Sequence, residues 1–175
     1  MAEIKWAESA HHLPIEDFSP NPRNPKKHTK KQLEHIRNSI LHFGFLDPIG
    51  VWGKDHVVVE GHGRLEALKQ LVQDGKIRIP AEGVPCIMLD HLSKRDRDAY
   101  MLEHNQSTME TPWDDDLLDD VLGDIANEGL DMEQFGFEMP GEEDGEDGKY
   151  TSSVNIPQYE VRGEIPNFAD MLDSG

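Results

Sequence analysis

The residues of this chain whose types and spacing suit chemistry are concentrated in one pentapeptide, Glu60-Gly61-His62-Gly63-Arg64. It follows a β-branched run, His56 to Val59, and precedes Leu65, Leu68, Leu71 and Val72 at helical spacing, so the unit reads as strand, glycine loop and helix. Such a turn aims backbone N–H groups at one spot, and the helix dipole adds partial positive charge there, so an anion is its natural occupant. Gly61 and Gly63 permit close approach, and Arg64 can fork onto phosphate oxygens. Glu60 suits a general base, a divalent-metal ligand or a partner for Arg64. The competing reading is a glycine turn kept for packing, with Arg64 an exposed first-turn residue.

Two more segments bear on that choice. Arg23, Lys26, Lys27, Lys30 and Lys31 crowd five positive charges ahead of the first helix, enough to attract polyphosphate or a nucleic-acid backbone. Positive charge is unfavourable at a helix N-terminus unless an anion arrives, which argues against a merely solvated cluster. Glu103 and Asn105 offer oxygen ligands of the type magnesium accepts. The nine histidines show no HExxH or comparable spacing, and the single Cys86 excludes an intramolecular disulfide and a thiolate zinc cluster.

The elements that must hold these residues follow from pattern. Four prolines between Pro14 and Pro25 enforce extended or turn backbone. Thr29 with Gln32 caps a helix that carries Leu33, Ile36 and Ile40 and stops at Gly44. Pro48 to Trp52 and His56 to Val59 form a hairpin across Gly53-Lys54-Asp55. Ile77 to Pro80 is extended, Val84 to Leu89 is a buried strand, and Ser93 with Asp96 caps a helix through about His104. A last helix, 114–127, presents Leu117, Leu118, Val121, Leu122 and Ile125 on one face expected to dock on the core.

Composition divides the chain. The 15 basic and 15 acidic residues up to Thr108 balance, so the net charge of −18 resides in residues 109–175, which hold 2 basic and 20 acidic side chains. With 36% hydrophobic residues and a mean hydropathy of −0.66, part of the chain buries little. The expected organisation is an N-terminal arm (1–12), one α/β domain (13–108), a helical extension (109–137) and an acidic, largely disordered linker and tail (138–175). No signal peptide or membrane span is read, and a cytoplasmic setting is expected.

The motifs Asn21-Pro22-Arg23-Asn24-Pro25, Ser39-Ile40 with Gly44 and Pro48-Ile49, Val59 to Ala67, and Glu103-His104-Asn105-Gln106 occur in an order that resembles the N-terminal domain of the ParB/sulfiredoxin superfamily. The chain is most similar to phage and mobile-element ParB-like "nuclease domain" proteins, over roughly residues 13–107. The resemblance implies an α/β (α+β) fold with a small mixed sheet and flanking helices. It implies a pocket for a nucleoside triphosphate, CTP or ATP, with Mg2+. Phosphate and nucleotide binding then fall on Gly61, His62, Gly63, Arg64, Arg23 and Asn24. Glu60, His62 and Arg64 become the candidate catalytic residues, and Glu103 and Asn105 the candidate metal ligands.

Departures from the family patterns narrow the choice. His62 stands where sulfiredoxins carry a catalytic cysteine, which argues against sulfinic-acid repair. Gly63 replaces one of the paired arginines of partitioning proteins, and Ser107 and Thr108 follow where an arginine is usual, which argues against tight CTP clamping. The expected function is a nucleotide-binding ParB-like protein, a weak NTPase or nuclease, in DNA metabolism or modification of a phage or mobile element. Its partners would be nucleotide and DNA or a DNA-modifying protein, met through the basic cluster or the acidic tail. One rival is an ATP/ADP-dependent kinase of a small molecule or protein using the same pocket. Another is a non-catalytic acidic or DNA-mimicking interaction protein.

Overall fold

The computed structural model describes residues 10–109 and 112–139. A four-stranded mixed sheet is made of β1 (His11–Leu13), β2 (Ile49–Trp52), β3 (Val57–Glu60) and β4 (Val84–Met88), in the order β1-β4-β2-β3. β4 runs antiparallel to β1 and parallel to β2, and β2 runs antiparallel to β3. The expected mixed sheet with flanking helices is what the chain forms. β1 takes in His11 and His12, which the sequence had assigned to the arm.

The helices begin and end where side chains satisfy orphan backbone groups. In α1 (Lys30–Phe43) the Thr29 Oγ1 accepts from the Gln32 amide at 3.1 Å, and Gly44, at φ 93°, donates its own amide to the Ile40 carbonyl. α2 (His62–Gln73) packs on α1 and buries Leu65, Leu68 and Leu71, each worth about 2 kcal/mol of apolar burial. Leu65 and Leu68 meet Phe18, Ile49, Val51, Val58, Val84 and Cys86 in one core. Burial there pushes the Cys86 thiol above its ordinary pKa, as expected for a strand cysteine with no chemical duty.

The β2–β3 hairpin is fastened from outside the sheet. The Gly53 amide donates to Asp90 Oδ1 at 2.7 Å, and Trp52 Nε1 donates to the Leu92 carbonyl at 2.8 Å. Both acceptors lie in the loop that leads into α3 (Lys94–Ser107), so the start of α3 is held against β2. On the other edge, Ser19 bridges Val57 and brings the Pro-rich segment alongside β3.

The segment Ile77 to Pro80, expected to be extended, joins no strand; Ile77 and Ile79 pack on the core as loop residues. α4 (Asp115–Asn127) begins at an Asp114 cap as expected, yet its apolar face docks only in part. Leu122 is buried and Leu118 and Ile125 are half-buried, whereas Leu117 and Val121 are exposed. Five apolar positions span more of a helix than one line of contact covers, and the side carrying Leu117 and Val121 faces solvent. Past α4, a turn at Glu133–Phe135 returns to α1: Asn38 Nδ2 donates to the Gln134 carbonyl at 2.8 Å, and the Phe43 and Phe135 rings lie 5.0 Å apart. Of the expected acidic tail, residues 140–175 lie outside the described residues.

Candidate anion-binding loop and acid cluster

The glycine loop has the geometry its sequence predicts. Gly61 caps α2 at φ 84° and ψ 18°, a left-handed conformation that side chains rarely adopt. It offers no capping side chain, and the first turn of α2 holds no acidic residue. The first amides of the helix have no intrahelical acceptor, so this end presents uncompensated positive potential. Gly63 admits a neighbour: a Cβ there would lie 2.9 Å from His28 Cε1 and 3.0 Å from Ile36 Cδ1. His28 belongs to the basic segment, so that segment meets the start of α2 at this residue.

That segment is pinned from below. Asn21 is buried, accepts the Arg23 amide at 3.0 Å and donates to Met101 Sδ at 3.3 Å. Asn24 Oδ1 accepts the Lys26 amide at 3.1 Å, so the Asn24 side chain shapes the turn. Arg23 pairs with Asp98 at 2.8 Å, and Asp98 is also held at 2.5 Å by the buried Arg97, whose guanidinium lies 4.6 Å over the Trp52 ring. Hydrogen bonding from Arg97 keeps the Asp98 carboxyl below the usual carboxylate range, with the Arg97 and Arg23 charges adding to it.

Arg64 lies at the loop but does not point outward as a free fork. It is ion-paired with Asp47 and donates from Nη2 to the Pro48 carbonyl at 3.0 Å. Its guanidinium lies under Gly61, where a Cβ would sit 3.0 Å from Arg64 Nη2. Arg64 therefore fastens the loop to the start of β2. His62, the first residue of α2, has its pKa lowered to about 4, by burial first and by the His28 charge second, and its Nε2 is enclosed without a hydrogen-bond partner among the described residues.

Glu60 does not pair with Arg64 either. Its Oε2 accepts from Tyr100 Oη at 3.0 Å and faces His104 Nδ1 at 3.4 Å, so β3 is joined to the middle of α3. Burial pushes Tyr100 up to about 12, reinforced by the charge and hydrogen bond of Glu60 and by the charge of Glu103. Glu60 has room to turn this way because Gly50, opposite it on β2, has no side chain; a Cβ there would come within 2.5 Å of Glu60 Cγ. Glu103 and Asn105 are two positions apart inside α3 and so diverge by about 200° around the helix axis. Glu103 stands near Tyr100, and Asn105 is turned away from it. Among the described residues no group of three or more His, Cys, Asp or Glu is arranged to hold a metal.

The structure thus brings together Gly61, His62, Gly63 and His28 of the basic segment, with Glu60 on the adjoining side, and it separates Asn105 from Glu103. Sequence reasoning missed Tyr100, His104, His28 and Asp47. The four-residue spacing of Tyr100 and His104 on a predicted helix was the available signal for the first two; nothing local pointed to Asp47. Two cavities, of about 590 and 430 Å3, lie away from the loop and share Ile77, Ile79, Pro80 and Gly83 in their linings.

The model of the ParB N-terminal domain matches residues 2–105. The chain belongs to the ParB N-terminal domain family. Within it, a probable chromosome-partitioning protein ParB of Campylobacter jejuni is 37% identical over 62 residues, 34% of this chain and 22% of that protein. The ParB-like nuclease domain-containing protein YnaK of Escherichia coli is 30% identical over 80 residues, 46% of this chain and 82% of that protein. The C-terminally truncated ParB of Caulobacter crescentus, solved complexed with CTP-gamma-S, superposes with a TM-score of 0.51 at 22% identity, covering 73% of this chain and 65% of that one. At that identity the likeness establishes the ParB N-domain fold. The chain spans less than a quarter of the Campylobacter ParB and under two thirds of the Caulobacter structure.

Proposed function

We propose that this ParB-like chain binds a nucleoside triphosphate through the loop 60–64 and acts in DNA metabolism of a phage or other mobile element. The observation that carries the reading is the start of α2: a left-handed Gly61, no capping side chain, no acidic residue in the first turn, and His28 of the basic segment packed against it. These are the features an anion needs. A structural neighbour that shares the fold was solved with CTP-gamma-S, which makes CTP the first nucleotide to test.

The polyphosphate would be held by the Gly61 to Arg64 backbone and by Lys26, Lys27, Lys30 and Lys31. Arg64 would act as a positioning residue, since its guanidinium is committed to Asp47 and Pro48. Magnesium fits the donor set through Glu60 and Glu103, the two carboxylates beside Tyr100, because this ion asks for only one or two protein carboxylates when phosphate oxygens supply the rest. It would neutralise phosphate charge; orientation belongs to the loop backbone and to Tyr100, which fixes Glu60.

Calorimetric titration of CTP, ATP and GTP with magnesium into the full chain tests this reading. Lys27→Glu with Lys30→Glu should weaken the binding of the preferred nucleotide by about tenfold or more. If none of the three binds the wild type, the reading is wrong. A second reading, phosphoryl transfer to a hydroxyl acceptor, is favoured by Glu60, a carboxylate oriented by Tyr100 and His104 next to the loop. Its mark would be nucleotide turnover that depends on an added acceptor and is lost in Glu60→Gln.

A further inference from the structure

Outside the loop, the solvent face of α4 is an exposed apolar feature with no duty in the fold. Leu117 and Val121 stand one helical turn apart on that face, and the exposed Trp113 immediately precedes the Asp114 cap at the head of the helix. Trp113, Leu117 and Val121 are 65, 61 and 46% exposed, while the same helix meets the rest of the chain through Leu118, Leu122 and Ile125. The Phe137 ring, 6.0 Å from Trp113, extends this apolar stripe at its start. Leu117 and Val121 are thus held in water beside Trp113, apolar surface that the core does not cover.

The flanks of the stripe are of one sign. At 100° per residue, Asp120 lies about 60° to one side of Leu117, Asp124 and Glu128 lie within about 20° of its axis, farther along, and Asp114 caps the helix at the head of the face. No lysine or arginine occurs from residue 98 to residue 148. Nucleic acid is repelled by such a surface, and a second α4 face would bring like charges together. What complements it is an amphipathic helix with apolar anchors at i, i+4 and i+8 and basic residues on both margins.

We infer that the Trp113-Leu117-Val121 face of α4 is a docking surface for a cationic amphipathic helix of a partner protein. The apolar stripe supplies contact area, and the aspartates select for charge and set the orientation of the incoming helix. This surface is independent of the nucleotide site.

The test titrates a synthetic leucine-lysine amphipathic helical peptide of about 18 residues into the full chain by calorimetry, with an oligolysine of equal charge as comparison. Leu117→Asp with Val121→Asp is the decisive variant, because it removes apolar contact while adding negative charge. Docking on the stripe predicts one-to-one binding that this variant weakens by about tenfold or more, and oligolysine binding weaker by a similar factor. Attraction to the acidic residues in general predicts the reverse: the variant binds as well or more tightly, and oligolysine competes. That result overturns the proposal, as does failure of the peptide to bind the wild type. Leu117→Ser with Val121→Ser, which leaves charge unchanged, should weaken binding in the same direction, and circular dichroism verifies that both variants are folded. If sedimentation shows the wild type dimerising and Leu117→Ser abolishing the dimer, the occupant is a second copy and the proposal fails.

Discussion

Tyr100 Oη donates a 3.0 Å hydrogen bond to Glu60 Oε2, tying the last residue of β3 to the middle of α3. Glu60 closes the strand that delivers the loop, so this bond sets where the loop begins relative to α3. A strand end and a helix 40 residues apart in sequence thus share this hydrogen bond, beside the His104 contact to the same oxygen, and its state depends on the Tyr100 proton.

Tyr100→Phe should cost about 1 kcal/mol at neutral pH, the net worth of one hydrogen bond to a partly buried acceptor. Its pH dependence carries a specific sign. In the folded chain Tyr100 is raised from 10 to about 12, so folding favours the neutral phenol. The stabilisation is fully present below pH 10 and is lost as pH climbs from 10 toward 12. Urea unfolding of wild type and variant should show a stability difference that is constant to pH 10 and shrinks above it.

Gly50→Ala should destabilise the chain by about 1 to 3 kcal/mol, the range for overpacking a filled interior. The added Cβ would meet Glu60 Cγ at 2.5 Å, forcing the carboxylate away from Tyr100. Combining it with Glu60→Ala, which removes the obstructing group, should cost less than the sum of the two single changes. Additive costs in that double-mutant cycle would show that Gly50 acts through the sheet backbone instead.

The fold was legible in advance because its signals are local. Thr29, Gly44, Gly53, Gly61 and Ser93 each mark a boundary by backbone chemistry, and the apolar period does the rest. The anion-ready loop was legible for the same reason. What the sequence hid is the assignment of partners. Glu60 had two charged suitors in prospect, Arg64 and a metal, and it took an uncharged phenol from α3 because the Gly50 gap lets it turn that way. Arg64 took Asp47, a residue in a loop with no pattern of its own. The docking of α4 was half legible: the apolar positions were identified, but which side meets the core depends on where the chain leaves α3.

Arg97→Ala should be among the most costly surface-proximal substitutions, about 2 to 3 kcal/mol by denaturant titration. Arg97 is 5% exposed, lies over the Trp52 ring at 4.6 Å and is the nearest counter-charge of Asp98. Removing it uncovers the indole and leaves Asp98 with Arg23, whose own side chain is largely in solvent. Arg97→Lys should recover little of the loss, since an ammonium cannot lie over the ring and reach Asp98 with two donors at once. Asp98→Asn should cost less than either.

His62 gives the loop a defined response to acid. Its pKa falls from 6.5 to about 4 in the folded chain, through burial first and the nearby His28 second, so the fold prefers the neutral imidazole. The corresponding stability is complete above pH 6.5 and is lost as pH falls toward 4. Wild type should lose stability over that interval, and His62→Gln should lose less. In an NMR titration the folded His62 signal should stay neutral past pH 5, and His28→Ala should move its midpoint upward by removing the neighbouring charge. A His62 midpoint near 6.5 in the folded wild type would contradict the enclosed imidazole. At neutral pH the same argument removes His62 from the cations available to a phosphate, so whatever positive potential the loop presents there comes from the α2 amides and the lysines of residues 26–31.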